Sequence, residues 1–218
     1  MKVVLTGTER LAAPLAAGLA ALGLEVETCP LVAVEPLEGP PLRVDGYDWL
    51  LLTSRNAVDA LLPRLDGGLP DVAVVGRGTA EALREHGIEP ALVASVSTQE
   101  GLAAVLPRPA GRVVFAGAED ARDVLVRELG ADFVPLYRTV ELRPERFPEA
   151  DLAVLASASA ARSLAALGVD VPCVSIGPVT TAAARARGLD VVAEAATHDR
   201  EGLVEAVKLA AFGRSSPS

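Results

Sequence analysis

Aromatic residues are scarce in this chain, with one Trp, two Tyr and four Phe among 218 residues. A core must then be built mainly from Ala, Val and Leu, which suits parallel strands covered by Ala-rich helices. Together with a net charge of −9, the same scarcity argues against a nucleic-acid surface, which needs basic patches and stacking platforms. It also argues against docking on an anionic membrane. Cysteine is nearly absent. Cys29 and Cys173 stand alone, with no CxxC and no Cys/His cluster, so no metal site is expected and both read as small buried thiols in strands. No apolar run approaches the ~20 residues of a membrane span. The opening MKVVLTG reads as a strand, not as a secretory leader. These absences lead to the expectation of a cytosolic protein without nucleic-acid or membrane partners. No exposed apolar stripe is evident, which favours a monomer.

What is present is a regular alternation. Short apolar runs at residues 3–6, 25–29, 49–53, 72–75, 91–93, 113–116, 132–134, 152–156, 173–176 and 190–193 read as strands. Helical patterns fall between most of them, at 11–22, 57–65, 79–86, 99–106, 121–129, 160–167, 180–187 and 200–211. Ten strands with crossover helices exceed one small sheet and suit two doubly wound α/β domains of five strands each. The closing GRSSPS reads as a disordered tail.

The chain also repeats itself. VGRGTAEALREHG, from Val75, returns as IGPVTTAAARARG, from Ile176, with Gly76, Thr79, Ala82, Arg84 and Gly87 recurring as Gly177, Thr180, Ala183, Arg185 and Gly188. Over residues 76–102 and 177–203, nine of 27 positions are identical without a gap, including the EGL at Glu100 and at Glu201. LLTSRNAVDALL at residue 51 resembles VLASASAARSLA at 154. VVLTGTE at residue 3 matches VVFAGAE at 113. Calling the last type B and the others type A, the chain reads B-A-B-A, for which duplication is the natural account. Pro/Gly-rich stretches at 31–42 and 135–150 each follow a B unit and are linker candidates.

Ligands of doubly wound sheets sit beyond the carboxyl ends of the strands. The turns there are TGTER, TSRNA, GRGTA, GAEDAR, SASA and GPVTT, rich in small residues and hydroxyls. Each Ser or Thr has two readings, a plain helix cap or a contact at a helix start whose free N–H groups favour carboxylate or phosphate. Arg10, Arg55, Arg77 and Arg122 stand near these turns, as ligand partners or as solvated surface charges. GRGTAE has Glu81 where a dinucleotide fingerprint needs its third glycine, and no GxxxxGK[ST] is present. His86 and His198 have no obvious partner, and no nucleophile triad or carboxylate pair stands out. Tyr137, in PLYRTVE, is either a packing residue between linker strands or a phenol able to exchange a proton.

YDWLLLTSRNAV, VAVVGRGTAEALREHG, STQEGL, PLYRTVE, VSIGPVTTAAARARGL and EGLVEAV, in order over nearly the whole chain, together resemble the uroporphyrinogen-III synthase family. The chain departs from the family pattern in its first turn, TGTERLA, and in LASASA, which lacks the usual Pro. The resemblance implies two flavodoxin-like doubly wound parallel-sheet domains joined by a two-stranded linker. Residues 1–34 and 143–213 would form the first domain and 43–135 the second, with linkers at 35–42 and 136–142 and a disordered tail at 214–218. It implies closure of hydroxymethylbilane, a linear tetrapyrrole, to uroporphyrinogen III with inversion of ring D and loss of water, without cofactor or metal. The substrate's eight carboxylates would be held in an interdomain cleft by N–H groups at helix starts. Tyr137 takes the place of the family's linker tyrosine, as proton donor to the departing hydroxyl. The implied substrate contacts are Thr53, Ser54, Asn56, Gly76, Thr79, Ser157, Ser159, Gly177 and Thr180, with Thr79 and Thr180 as contacts or helix-start caps. The rival reading is a two-lobed small-anion-binding protein without catalysis.

Overall fold

The computed structural model describes residues 1–213; the tail expected to be disordered, 214–218, lies outside the described residues. In chain order the elements are β1 (Lys2–Leu5), α1 (Glu9–Ala20), β2 (Glu25–Thr28), β3 (Val32–Pro36), β4 (Trp49–Leu52), α2 (Arg55–Leu61), β5 (Asp71–Val75), α3 (Gly76–Arg84), β6 (Leu92–Ala94), α4 (Gln99–Val105), β7 (Val113–Ala118), α5 (Val124–Leu129), β8 (Asp132–Glu141), β9 (Leu152–Leu155), α6 (Ala158–Ala166), β10 (Cys173–Ser175), α7 (Pro178–Arg185), β11 (Val191–Glu194) and α8 (Arg200–Phe212). The expected α/β alternation is observed. Most helices begin two or three residues before the periodicity placed them, because the chain turns into the helix at the strand end, ahead of the first core-facing residue. An eleventh strand, β3, lies in the stretch 31–42 whose sequence reads as a linker. Its VAVEP ends in proline, and it is tolerated at a sheet edge because an edge strand can leave one row of N–H groups unpaired.

The chain divides into two compact units, Met1–Ala33 with the chain from Thr139 on, and Val34–Arg138. The first carries a five-stranded sheet in the order β11-β10-β9-β1-β2, the second a six-stranded sheet in the order β3-β8-β7-β4-β5-β6. The central pairs are parallel. Their sequences explain this: KVVL, WLLL and LAVL lack polar alternation and are buried almost throughout, as strands covered on both faces must be. In the first unit α1 and α8 share a core with Val3, Leu5 and Val154, while α6 and α7 cover the other face around Val4, Leu155 and Leu164. In the second, α2 and α3 pack with Leu50, Leu52 and Val74, and α4 and α5 with Leu51, Ala73 and Phe115. Each fully buried leucine in these layers contributes roughly 1.5–3 kcal/mol.

Starting the first unit at β9, its strands β9, β10, β11, β1 and β2 occupy the same sheet positions as β4, β5, β6, β7 and β8 of the second. The order reverses between β9 and β1 in one sheet and between β4 and β7 in the other. The B units meet the A units at that point in the same way. A side chain at Gly7 would touch Ala156 Cβ at 3.4 Å, and one at Gly117 would lie 3.9 Å from Thr53 Oγ1. Ala156 and Thr53 are themselves equivalent in the repeat.

Candidate functional site

The reversal points mark where an open α/β sheet takes a ligand, beyond its carboxyl edge. In the second unit, β4 ends at Leu52 and α2 begins at Arg55. Ser54, extended at φ −158° and ψ 157°, caps α2, its Oγ accepting from Ala57 N at 3.1 Å. A cap of this kind stabilises by about 1 kcal/mol. The same Oγ lies 2.9 Å from Tyr137 Oη.

Tyr137 reaches Ser54 through an irregularity in β8. Gly117 pairs with Pro135 and Ala118 with Tyr137, so one residue is inserted between them. The bulge puts Leu136 and Tyr137 both inside, where regular alternation would expose one. Tyr137 is 6% exposed. Burial pushes its phenol above the usual pKa, the Ser54 hydrogen bond offsets part of that rise, and the Asp120 carboxylate adds to it. The phenol is therefore neutral over the physiological range and is a hydrogen-bond donor rather than a strong acid.

Around this pair Thr53 and Asn56 are half-buried. Gly76 opens α3 directly after β5 at φ +72°, and a side chain there would sit 2.9 Å from Ser97 Oγ. Thr79 is 5% exposed and lies inside α3, whose N-cap, Val75, makes no side-chain cap bond. Arg77 is exposed. Arg55 is held by Glu85 at 2.6 and 3.0 Å, and Arg122 by Glu100 at the same distances. The Arg122 hydrogen bonds are the main cause of a Glu100 carboxyl held down at about 2.

The first unit reproduces the frame with different chemistry. Ser157, at φ −161° and ψ 159°, caps α6 through Ala160 N at 3.1 Å. Ser159 Oγ accepts from Arg162 at 2.8 Å, and Arg162 also holds Glu141. Gly177 is extended before Pro178, and a side chain on it would meet His198 Nε2 at 2.7 Å. His198 is equivalent to Ser97 in the repeat, so each copy leans one polar side chain over the glycine that precedes the helix. Thr180 is 4% exposed inside α7, whose start carries no side-chain cap. The cap alternative for Thr79 and Thr180 is therefore corrected: the chain enters both helices at glycine, three residues before each threonine, too early for their hydroxyls to cap.

The sequence reading missed a hydroxyl chain in this unit that runs from the buried Ser175 and Thr181 out to the exposed Glu194. Ser175 Oγ and Thr181 Oγ1 lie 2.5 Å apart, and Thr181 donates to Glu194. Thr181 has one proton and gives it to the carboxylate, so Ser175 is the donor of the other bond. The repeat held a signal for it, since the equivalent positions of the first copy are the apolar Val74, Ala80 and Val93. Among the described residues no group of three or more His, Cys, Asp or Glu is placed to hold a metal ion. None of the described helices is long and apolar enough to cross a membrane.

The family profile described as uroporphyrinogen-III synthase HemD matches residues 13–205 of this chain. The chain belongs to the uroporphyrinogen-III synthase family. Among curated relatives, the protein named "Putative uroporphyrinogen-III synthase" in Methanocaldococcus jannaschii is 26% identical over 159 residues, 68% of this chain. The match spans 65% of that relative's length. A mutant uroporphyrinogen III synthase from Thermus thermophilus has the same fold, with a TM-score of 0.66 at 21% identity over 98% of this chain and 100% of that one. The uroporphyrinogen-III synthetase from Helicobacter pylori gives 0.68 at 19% identity over 96% and 99%. Membership of the synthase family thus rests on the profile, and the shared α/β fold on the two structures.

Proposed function

We propose that this chain is a tetrapyrrole-cyclising lyase. It closes hydroxymethylbilane to uroporphyrinogen III, inverting ring D and releasing water. The Tyr137–Ser54 pair at the reversal point of the second sheet carries this reading, in a chain whose family profile is that of the synthase. Its two units are flavodoxin-like, with 1–34 and 143–213 forming one and 43–135 the other, joined through 35–42 and 136–142.

Tyr137 is the catalytic residue in this proposal. The hydroxyl of the bilane must leave as water, which requires a proton at its oxygen. A neutral phenol supplies a directed hydrogen bond there, and Ser54 holds its oxygen in place. Departure of that hydroxyl is intrinsically easy, so holding one conformer for ring closure matters more than acid strength. Thr53, Ser54, Asn56, Gly76 and Thr79 in the second unit, and Ser157, Ser159, Gly177 and Thr180 in the first, are the proposed substrate contacts. Their small side chains let carboxylates approach the N–H groups at the helix starts. The buried Thr180 serves through its backbone N–H rather than its hydroxyl, and at α3 the free N–H groups are those of Gly76, Arg77 and Gly78, just ahead of the buried Thr79. Local hydrogen bonds thus attract a polyanion to a chain of net charge −9.

The test is an isomer assay. Hydroxymethylbilane is generated in situ, the protein is added, and the oxidised porphyrins are separated. Uncatalysed closure leaves every ring in its original sense and yields type I. Predominant type III is the expected result. Type I alone from folded protein sinks the synthase reading and leaves an anion-binding protein.

A further inference from the structure

The carboxyl end of β7 runs on past the reversal point of the second sheet. Leu52 pairs with Ala116, and a side chain at Gly117 would lie 3.9 Å from Thr53 Oγ1. Beyond Gly117 the chain is tied to Tyr137. Ala118 pairs with Tyr137, and Glu119 N donates to the Tyr137 carbonyl at 2.8 Å. Ala121 N then donates to Ala118 O at 3.0 Å, closing a turn that holds Asp120. Asp120 therefore stands where Thr53, Ser54 and Tyr137 converge, and its charge acts on the Tyr137 phenol.

Its carboxylate is exposed and makes no hydrogen bond or ion pair among the described residues. The arginines nearest in sequence are taken: Arg122 by Glu100 at 2.6 Å, Arg127 by Asp123 at 3.2 Å and Arg138 by Glu35 at 2.7 Å. The fold does not require an acid here. In the match of VVLTGTE with VVFAGAE, the residue that follows in the first copy is Arg10. Binding does not require it either, since a carboxylate repels a polycarboxylate ligand.

The reaction supplies a use for it. The C–O bond of the bilane breaks with its electron pair on the oxygen, which takes a proton at Tyr137 and leaves as water. The methylene carbon left behind is cationic and shares its charge with the pyrrole nitrogen. The bond switch that inverts ring D moves this charge between rings without consuming it. Ring D then loses a proton from its α-carbon, which restores the phenol and ends the cation. The proposed substrate contacts are neutral hydroxyls, an amide and N–H donors, all suited to anions, and none offsets a positive charge.

We infer that Asp120 is a second catalytic residue, its carboxylate set against the positive charge that develops on the bilane as the hydroxyl leaves at Tyr137. The inference rests on the synthase reading. An interaction that is repulsive with the bound substrate and attractive in the transition state acts on kcat and not on affinity.

Asp120→Asn, Asp120→Glu and the control Glu119→Gln, which removes the same charge one residue away, are compared with the parent. Measured on each are kcat and KM with hydroxymethylbilane, affinity for uroporphyrin III by fluorescence titration, and Tm. Asp120→Asn is expected to lower kcat about 10- to 100-fold, the order expected for one charge aimed at a transition state. KM and the dissociation constant for uroporphyrin III are expected to stay level or fall, because a like charge is gone. Asp120→Glu is expected to keep kcat within about fivefold of the parent and Glu119→Gln within about twofold. Tm is expected to stay within about 3 °C throughout, as for other exposed side chains. Parental kcat in Asp120→Asn overturns the inference. So does an equal fall in Glu119→Gln, which marks a general charge effect, or a fall matched by lost affinity and lower Tm, which marks a structural role. Type III product from a parent whose Asp120→Asn variant keeps full kcat sinks Asp120 alone. Type I product from the parent sinks the synthase reading and the role of Asp120 with it.

Discussion

At the scale of single residues, Tyr137 and Ser54 carry the most consequence. Replacing Tyr137 by Phe removes one hydrogen bond of 2.9 Å and keeps the ring in its core. Ser54 Oγ retains Ala57 N. The stability cost is then that of one net hydrogen bond, about 0.5–1.5 kcal/mol. Turnover is expected to fall by a factor on the order of 10²–10³, the usual worth of one positioned proton-transfer or transition-state hydrogen-bonding group. Urea unfolding and steady-state kinetics on the same preparation check both, and full activity in the variant returns Tyr137 to packing. The raised pKa of the phenol fixes the sign of the pH effect. Its neutral form is the functional one, so deprotonation removes activity only above the usual tyrosine range. Tyr137 was legible in the sequence because tyrosine is so rare here. Its partner was not, because Ser54 is 83 positions away and a one-residue bulge in β8 brings the two hydroxyls together. No periodicity reports a bulge.

At the scale of elements, the repeated EGL explains itself only in three dimensions. A Cβ on Gly101 would run into the carbonyl oxygen of Val96, and one on Gly202 into that of Thr197. Both oxygens belong to the main chain entering a capped helix. The Val96 oxygen is also fixed by Thr98 N at 2.8 Å, so it cannot swing aside as a side chain would. Gly101→Ala and Gly202→Ala are each expected to cost about 1–3 kcal/mol, measured as shifts in urea midpoint. Gly78, inside α3 with open space around its Cα, is the opposite case. Gly78→Ala is expected to stabilise by about 0.5–1 kcal/mol through helix propensity. Equal effects at all three positions would discard the steric account. The identity of the two EGL segments was plain in the sequence, and so were the strands, since fully buried parallel strands are bare apolar runs. Helix starts and β3 were less legible. A helix entered straight from a strand begins on polar or small residues that carry no periodic signal, and an edge strand ending in proline looks like a linker.

At the scale of the whole molecule, the duplication was visible but the registers in which its parts pair were not. The B-A-B-A order is linear, whereas Val3 pairs with Leu152 and Trp49 with Val113, and no local pattern encodes such distant registers. One consequence can be measured with the protein's own probes. Both cysteines lie in the first unit, and Trp49, Tyr47 and Tyr137 lie in the second. Burial pushes the Cys173 thiol up to about 12 and raises that of Cys29, helped there by Glu27. Neither supplies much thiolate near pH 8, so labelling by a disulfide reagent requires the first unit to open, which restores an ordinary thiol pKa of about 8.5. Trp49 emission reports the second unit. Leu164 belongs to a core drawn from the first unit and Leu83 to one drawn from the second. Truncating either to Ala costs about 2–5 kcal/mol, which is a urea midpoint shift of about 1 M or more. Leu164→Ala is expected to lower the midpoint for thiol labelling and leave that of Trp49 emission in place. Leu83→Ala is expected to do the reverse. Cores closed within their own units demand this separation, and midpoints that move together in both variants would show a single cooperative unit instead.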